Sequence, residues 1–251
     1  MNVENITEDT LLGGRVKLRQ PKDGYRAAID PVLLAASVRV QSGQFQSSKR
    51  VLDVGCGTGA AMFCLAVRLP SVDVSGLERQ PDLAALAQEG IHLNNLGARA
   101  RVVQGDLLAL PDLICGFQFD VVMTNPPFAA DGTVSPNASV AGAHHESDAD
   151  LGQWIKACSG LLKPKGRLVM IHRADRLSEI CAALSSAYGD IHIRPIQPKA
   201  GQPAKRVIID AGKDRKTGDT LLPSLILHTA DGEFTAAADA VLRNGADLIS
   251  P

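Results

Sequence analysis

The chain has 251 residues, 45% of them hydrophobic and 21% charged, with a formal net charge of −1. This balance fits a globular protein of one large domain or two small ones and excludes a disordered or fibrous chain. Five scattered cysteines (Cys56, Cys64, Cys115, Cys158 and Cys181) contain no Cys-x-x-Cys pair, which argues against a zinc site or a disulfide framework.

Met1 to Thr10 is polar and acidic, unlike a signal peptide. No apolar run approaches the roughly 20 residues of a spanning helix. Both observations lead us to expect a cytoplasmic protein with no membrane contact. Leu12 to Leu18 is expected as a strand, or as a hairpin with the residues that follow. Asp30-Pro31 reads as a helix start, since Asp can cap and Pro fits the first helical position. Residues 41–49 read as a linker. Val51 to Val54 is a short apolar strand before the Gly-rich turn Asp53-Val-Gly55-Cys-Gly57-Thr-Gly59. Helices are expected over Ala60 to Leu69 and Pro81 to Leu96, and strands over Val72 to Leu77, Arg101 to Gln104 and Phe119 to Met123. Leu151, Trp154, Ile155, Cys158, Leu161 and Leu162 have the spacing of an amphipathic helix. Lys163 to Gly166 reads as a turn, and Leu168 to Ile171 as a strand. A helix over Leu177 to Leu184 comes next. Strands at Ile191 to Ile196 and Val207 to Ile209 are joined by a basic loop, and a strand at Leu222 to Leu227 precedes a short helix, Ala236 to Arg243. Alternating strands and helices predict an α/β fold with a mostly parallel sheet, whose ligands bind beyond the carboxyl ends of the strands.

The near-zero charge hides an asymmetry. Residues 13–26 and 191–216 together hold 12 of the 26 basic side chains and 3 of the 27 acids. Such bunching suggests a surface for a polyanion, with solvated loops as the plain alternative. Arg15, Lys17, Lys199, Lys205 and Arg206 are the candidate phosphate contacts.

The Gly-rich turn follows a strand and opens a helix, so its backbone N–H groups can face a ligand. Gly55, Gly57 and Ala60 loosely meet a dinucleotide pattern. Asp53, two residues before Gly55, would repel a diphosphate and suits an ammonium instead. S-adenosylmethionine carries an ammonium, a ribose diol and an adenine, and no phosphate. Glu78, 19 residues past Gly59, can accept from the diol. Asp106, followed by Leu107, can accept from the adenine amine or cap the next turn. Asn125-Pro126-Pro127-Phe128 closes the strand after Phe119. An amide, two stiff residues and an aromatic at a strand end suit a clamp for a planar amino group.

This series resembles the motifs of class I S-adenosylmethionine-dependent methyltransferases over roughly residues 50–210. The Asn-Pro-Pro-Phe tetrad resembles that of enzymes methylating planar nitrogens. Thr10-Leu-Leu-Gly-Gly-Arg-Val, Gln20 to Asp30, Pro198-Lys199-Ala-Gly201 and Ala204-Lys205-Arg206-Val207 resemble the bacterial tRNA (adenine-N6) methyltransferases that modify a valine tRNA beside its anticodon. The resemblance implies a Rossmann-like sheet of seven strands with the last antiparallel and helices on both faces. It also implies an extension, residues 1–49, over the cofactor site of a 50–251 domain, with Tyr25, Arg26 and Asp30 at the methionine end. For Asp30 a helix cap is the structural alternative. Expected partners are S-adenosylmethionine and tRNA, without a metal, as a monomer or homodimer. Rival readings are methylation of guanine N2 in ribosomal RNA, methylation of a protein glutamine, or RNA binding on an inactive fold. Residues 129–150, with His144, His145 and Glu146, read as a lid or substrate loop. Trp154 reads as core.

Overall fold

The structure is a computed structural model that describes residues 5–23, 26–39, 49–127 and 150–248. Its strands are β1 (Ile6–Leu11), β2 (Val16–Pro21), β3 (Lys49–Val54), β4 (Val72–Glu78), β5 (Ala100–Gln104), β6 (Phe119–Thr124), β7 (Leu162–Arg173), β8 (Tyr188–Lys199), β9 (Arg206–Lys213), β10 (Thr220–Leu221) and β11 (Leu225–His228). Its helices are α1 (Asp30–Ser37), α2 (Ala60–Arg68), α3 (Pro81–Leu93), α4 (Leu151–Leu161), α5 (Leu177–Leu184) and α6 (Ala236–Leu242).

The main sheet runs β10-β8-β9-β7-β6-β3-β4-β5, and β11 also pairs with β8. Seven of these strands make the expected sheet, with β9 antiparallel to both neighbours. The short strands β10 and β11 add parallel pairing to β8, giving nine strands among the described residues. Buried parallel strands need apolar side chains on both faces, and the alternation along each strand supplies them. Val51, Val74, Met123, Val169 and Ile171 face a core closed by α1, α2 and α6. Leu52, Leu77, Val122, Leu168 and Met170 face a second core closed by α4 and α5.

Three local expectations change. The hairpin pairs β2 with the residues before it, Ile6–Leu11, through the turn at Leu12 to Arg15. Val16 and Leu18 are buried where β2 packs against α2 and α3. Lys163 to Gly166 lies inside β7 as an irregularity, with Lys165 at φ +64° and the register jumping between Phe119 and Val121. Asp30 does not cap α1. The residue before the helix is Ile29, no side chain caps it, and the Asp30 carboxylate accepts from Arg206 Nε at 3.0 Å instead.

β3 lies between β4 and β6, so the chain winds outward through β4 and β5 and then returns to the other side of β3. That reversal opens a crevice beyond the carboxyl ends of β3 and β6. Val54 pairs with Leu77 and with Thr124, and Glu78 pairs with Gln104. The strand ends are therefore level, and Gly55, Glu78, Gly105 and Asn125 emerge along one rim.

Candidate active site

The Gly-rich turn is fixed by backbone bonds to the neighbouring strand. Gly55 N and Cys56 N both donate to Leu77 O, at 2.8 and 3.1 Å. Gly57 and Gly59 have φ of +56° and +91°, a region that L side chains rarely adopt. A Cβ on Gly59 would strike the buried Phe63 ring at 2.5 Å, whereas one on Gly57 would meet nothing within 4 Å. The turn is thus packed from below at Gly59 and open at Gly57.

Glu78 is buried, and both its oxygens are anchored. Oε2 accepts from Gly57 N at 2.8 Å and Oε1 from Gln80 N at 2.9 Å. Each oxygen keeps a lone pair for a further donor. Asp53 is 2% exposed, and its Oδ2 has no protein hydrogen-bond partner. Burial pushes its carboxyl up to about 7, against a hydrogen bond from the Met62 backbone, while nearby Glu78 pushes it further up. A cationic ligand group at this turn would relieve that burden. An orphaned carboxylate oxygen, an anchored acceptor and an open glycine fit a ligand with an ammonium and a diol.

This burden has a consequence for stability. The folded protein holds the Asp53 proton up to about pH 7 and an unfolded chain only to about 3.8. Folding therefore binds a proton between these values, and stability from this group is greatest below the lower one and is lost as pH rises through the upper one. The ligand-free protein should lose about 2–3 kcal/mol from this source between about pH 5 and about pH 8. Asp53→Asn should remove that component, so that its melting temperature gains on the parent's as pH rises. A difference that does not vary with pH would contradict this.

Asp106 is half-buried, and its Oδ1 accepts from Leu108 N at 2.9 Å, closing the turn after β5. Among the described residues its other oxygen meets no hydrogen-bond donor. The Leu107 side chain belongs to the second core, so only its backbone is available to a ligand. Asn125 is half-buried, Pro126 buried and Pro127 exposed. Phe128 and Tyr25 lie outside the described residues, as do residues 129–149 with His144, His145 and Glu146.

Arg26 is held by Asp9 at 2.6 Å and by Thr7 Oγ1 at 3.0 Å, against β1. Asp30 and Arg206 join the start of α1 to the start of β9. Arg206 is therefore engaged with α1, with about a third of its side chain still exposed (33%). The candidate phosphate contacts separate in space. β8 runs in the direction of β7, so Lys199, at its end, lies on the carboxyl side of the sheet with the hairpin carrying Lys205. Lys199 Nζ donates to Ala230 O, and Lys205 is exposed. Arg15 donates to the Arg243 carbonyl beyond α6, and Lys17 is bracketed by Asn94 beyond the last turn of α3. Those two lie on the amino side, away from the crevice.

Sequence reasoning missed the role of Thr124. This fully buried residue donates to Val54 O at 2.9 Å and accepts from Trp154 Nε1 at 3.1 Å. A hydroxyl at the end of an otherwise apolar strand, directly before Asn125, was the available signal. Among the described residues no three His, Cys, Asp or Glu side chains cluster as metal ligands, and no helix is long and apolar enough to cross a membrane.

A family model described as a methyltransferase domain matches residues 45–212. A protein of Bacteroides fragilis named tRNA1(Val) (adenine(37)-N6)-methyltransferase is 30% identical over 190 residues, which cover 75% of this chain and 77% of that one. A Porphyromonas gingivalis protein of the same name is 28% identical over 229 residues, 88% of each chain. Among solved structures, one described as a predicted O-methyltransferase from Agrobacterium tumefaciens superposes with a TM-score of 0.70 at 26% identity, over 88% of this chain and 99% of that one. Sheet order, crevice and matched sequence agree, and the chain belongs to the methyltransferase domain family, among the tRNA1(Val) (adenine(37)-N6)-methyltransferases.

Proposed function

We propose that this protein transfers a methyl group from S-adenosylmethionine to the exocyclic N6 amine of an adenine beside the anticodon of a valine tRNA. The observation that carries this reading is the single rim shared by the Gly55–Gly59 turn, Glu78 and Asn125-Pro126. The names of the curated relatives supply the substrate. When bound, S-adenosylmethionine supplies an electrophilic methyl group on a sulfonium.

The residues of the chain do the rest. Gly55, Gly57 and Gly59 give the backbone room to approach the ligand, Asp53 supplies negative charge beneath the turn, and Glu78 accepts from the ribose diol. Asp106 and the Leu107 backbone border the adenine. The amine lone pair of an adenine is delocalised into its ring and attacks poorly. The Asn125 side-chain oxygen and the Pro126 carbonyl each accept one N–H, which favours a tetrahedral nitrogen. Positive charge grows on that nitrogen during transfer, and fixed acceptor dipoles stabilise it without a strong base. Pro126 holds Asn125 toward extended backbone and Pro127 fixes its own φ, so the acceptors are preorganised. Phe128 offers a stacking face to the base.

In this reading Tyr25, Arg26 and Asp30 belong to the segment that closes the methionine end of the site. Both anchors of that segment support it: Lys22 N bonds to Asn5 O at the open end of the hairpin, and Asp30 is tied to Arg206. A tRNA substrate implies action in the cytoplasm. Lys205 and Lys199 form the RNA side, because they share the carboxyl side with the crevice. Lys205→Ala should lower the salt-dependence slope of tRNA binding by about 1, and Lys17→Ala should leave it unchanged. Equal slopes for Lys205→Ala and the parent would remove the hairpin from the RNA surface.

A further inference from the structure

The last paired residues of β3 and β6 are Val54 and Thr124. Beyond them the ladder ends, and the chain diverges into the Gly55 turn on one side and Asn125 on the other. Three side-chain contacts continue the junction past that point. Thr124 Oγ1 donates to Val54 O, the Trp154 indole N–H donates to Thr124 Oγ1, and the indole edge (Cζ2 and Cη2) lies 3.5 Å from where a Cβ on Gly55 would stand. Trp154 is delivered by the first turn of α4, whose start is capped by Asp150 accepting from Gln153 N at 2.7 Å. One indole therefore lies beside the cofactor turn and bonds the residue that precedes the amine clamp.

We infer that Thr124 and Trp154 are positioning residues, holding the Gly55 turn and the Asn125 backbone at a fixed separation so that methyl donor and amine stay in line. The inference rests on the reading of Asn125 as the amine clamp. Trp154 is half-buried, and its N–H could be satisfied by water or by any nearby carbonyl. Here the partner is a hydroxyl already committed to the residue before Gly55, so the two bonds form a relay across the crevice rather than an isolated contact. Two reacting groups held by separate segments lose rate when those segments drift by a fraction of an ångström. Neither Thr124 nor Trp154 needs to touch either substrate for that loss to appear.

The test measures kcat, the KM for each substrate and melting temperature for Thr124→Val, Thr124→Ser, Trp154→Phe and Asn125→Ala. It uses S-adenosylmethionine and total tRNA, works well below every melting temperature and is scaled to folded protein. Thr124→Val and Trp154→Phe should each lower kcat about tenfold while both KM values stay within about threefold. Thr124→Ser, which keeps the hydroxyl, should stay within about twofold of the parent. A purely structural role would lower melting temperature and leave kcat alone. If Asn125→Ala loses turnover while Thr124→Val and Trp154→Phe keep the parent kcat, the positioning role fails and the clamp stands. If Thr124→Ser falls as far as Thr124→Val, the hydroxyl relay is overturned. If Asn125→Ala turns over like the parent, the clamp itself fails and the positioning role with it.

Discussion

Replacing Asn125 by alanine should cut turnover by about 100-fold or more while S-adenosylmethionine affinity changes by less than about threefold. The asymmetry follows from where Asn125 stands. It emerges from β6, one residue past Thr124, whereas the cofactor cradle is built from the turn after β3 and the end of β4. Its side-chain oxygen does little for a ground-state amine, whose N–H groups water can also satisfy. It matters when the nitrogen becomes tetrahedral and cationic, so its loss falls on kcat. Single-turnover methylation alongside calorimetry with the cofactor separates the two quantities. Unchanged turnover would remove Asn125 from the chemistry, and a matching loss of cofactor affinity would make it part of the cradle instead.

Glu78→Gln should do the reverse. The carboxylate accepts from Gly57 N and Gln80 N, and an amide in its place turns one acceptor oxygen into a donor that faces a backbone N–H. Hydrogen bonds to a buried charged group are worth about 1.5–3 kcal/mol each. Loss of one such bond should therefore lower cofactor affinity about 10- to 150-fold, by loosening the turn or by removing an acceptor for the diol. At saturating cofactor, kcat should recover most of its value, because Glu78 does not touch the amine. Affinity within about threefold of the parent would place the ribose elsewhere.

The elements legible in the sequence were those specified locally. Strand and helix alternation from Val51 onward, the turn at Gly55 to Gly59 and the stiff Asn125-Pro126-Pro127 each depend on residues close in the chain. What could not be read depends on register and direction. Arg206 finds Asp30 across 176 positions, and that pairing ties a candidate phosphate contact to the start of α1. Arg15 and Lys17 cluster with Arg26 in sequence, but β2 carries them down to the amino side while Arg26 stays beside Asp9. Trp154 carried the right signal for a core residue. Its hydrogen bond to Thr124 became visible only when α4 returned to the crevice. The edge strand β10 escaped because a two-residue strand leaves little alternation to read, whereas the strand expected at Leu222 to Leu227 is found in part, shifted to Leu225–His228 as β11.

The Agrobacterium tumefaciens structure is described as a predicted O-methyltransferase, and the curated relatives carry an adenine-N6 name. The local chemistry favours nitrogen. A hydroxyl brings one proton, which leaves one of two acceptors idle, whereas an exocyclic amine brings two. In the proposed reading, Asn125 and the Pro126 carbonyl are a matched pair for the amine and not for a hydroxyl.

The most direct test of this account is methyl transfer from labelled S-adenosylmethionine to total tRNA, ribosomal RNA and protein extract, offered separately, with each labelled product digested to its components. Label in N6-methyladenosine from tRNA is the result the account predicts. Label in N2-methylguanosine, in methylglutamine or on an oxygen would contradict the assigned substrate, and cofactor binding with no label in any tRNA would contradict the assigned reaction.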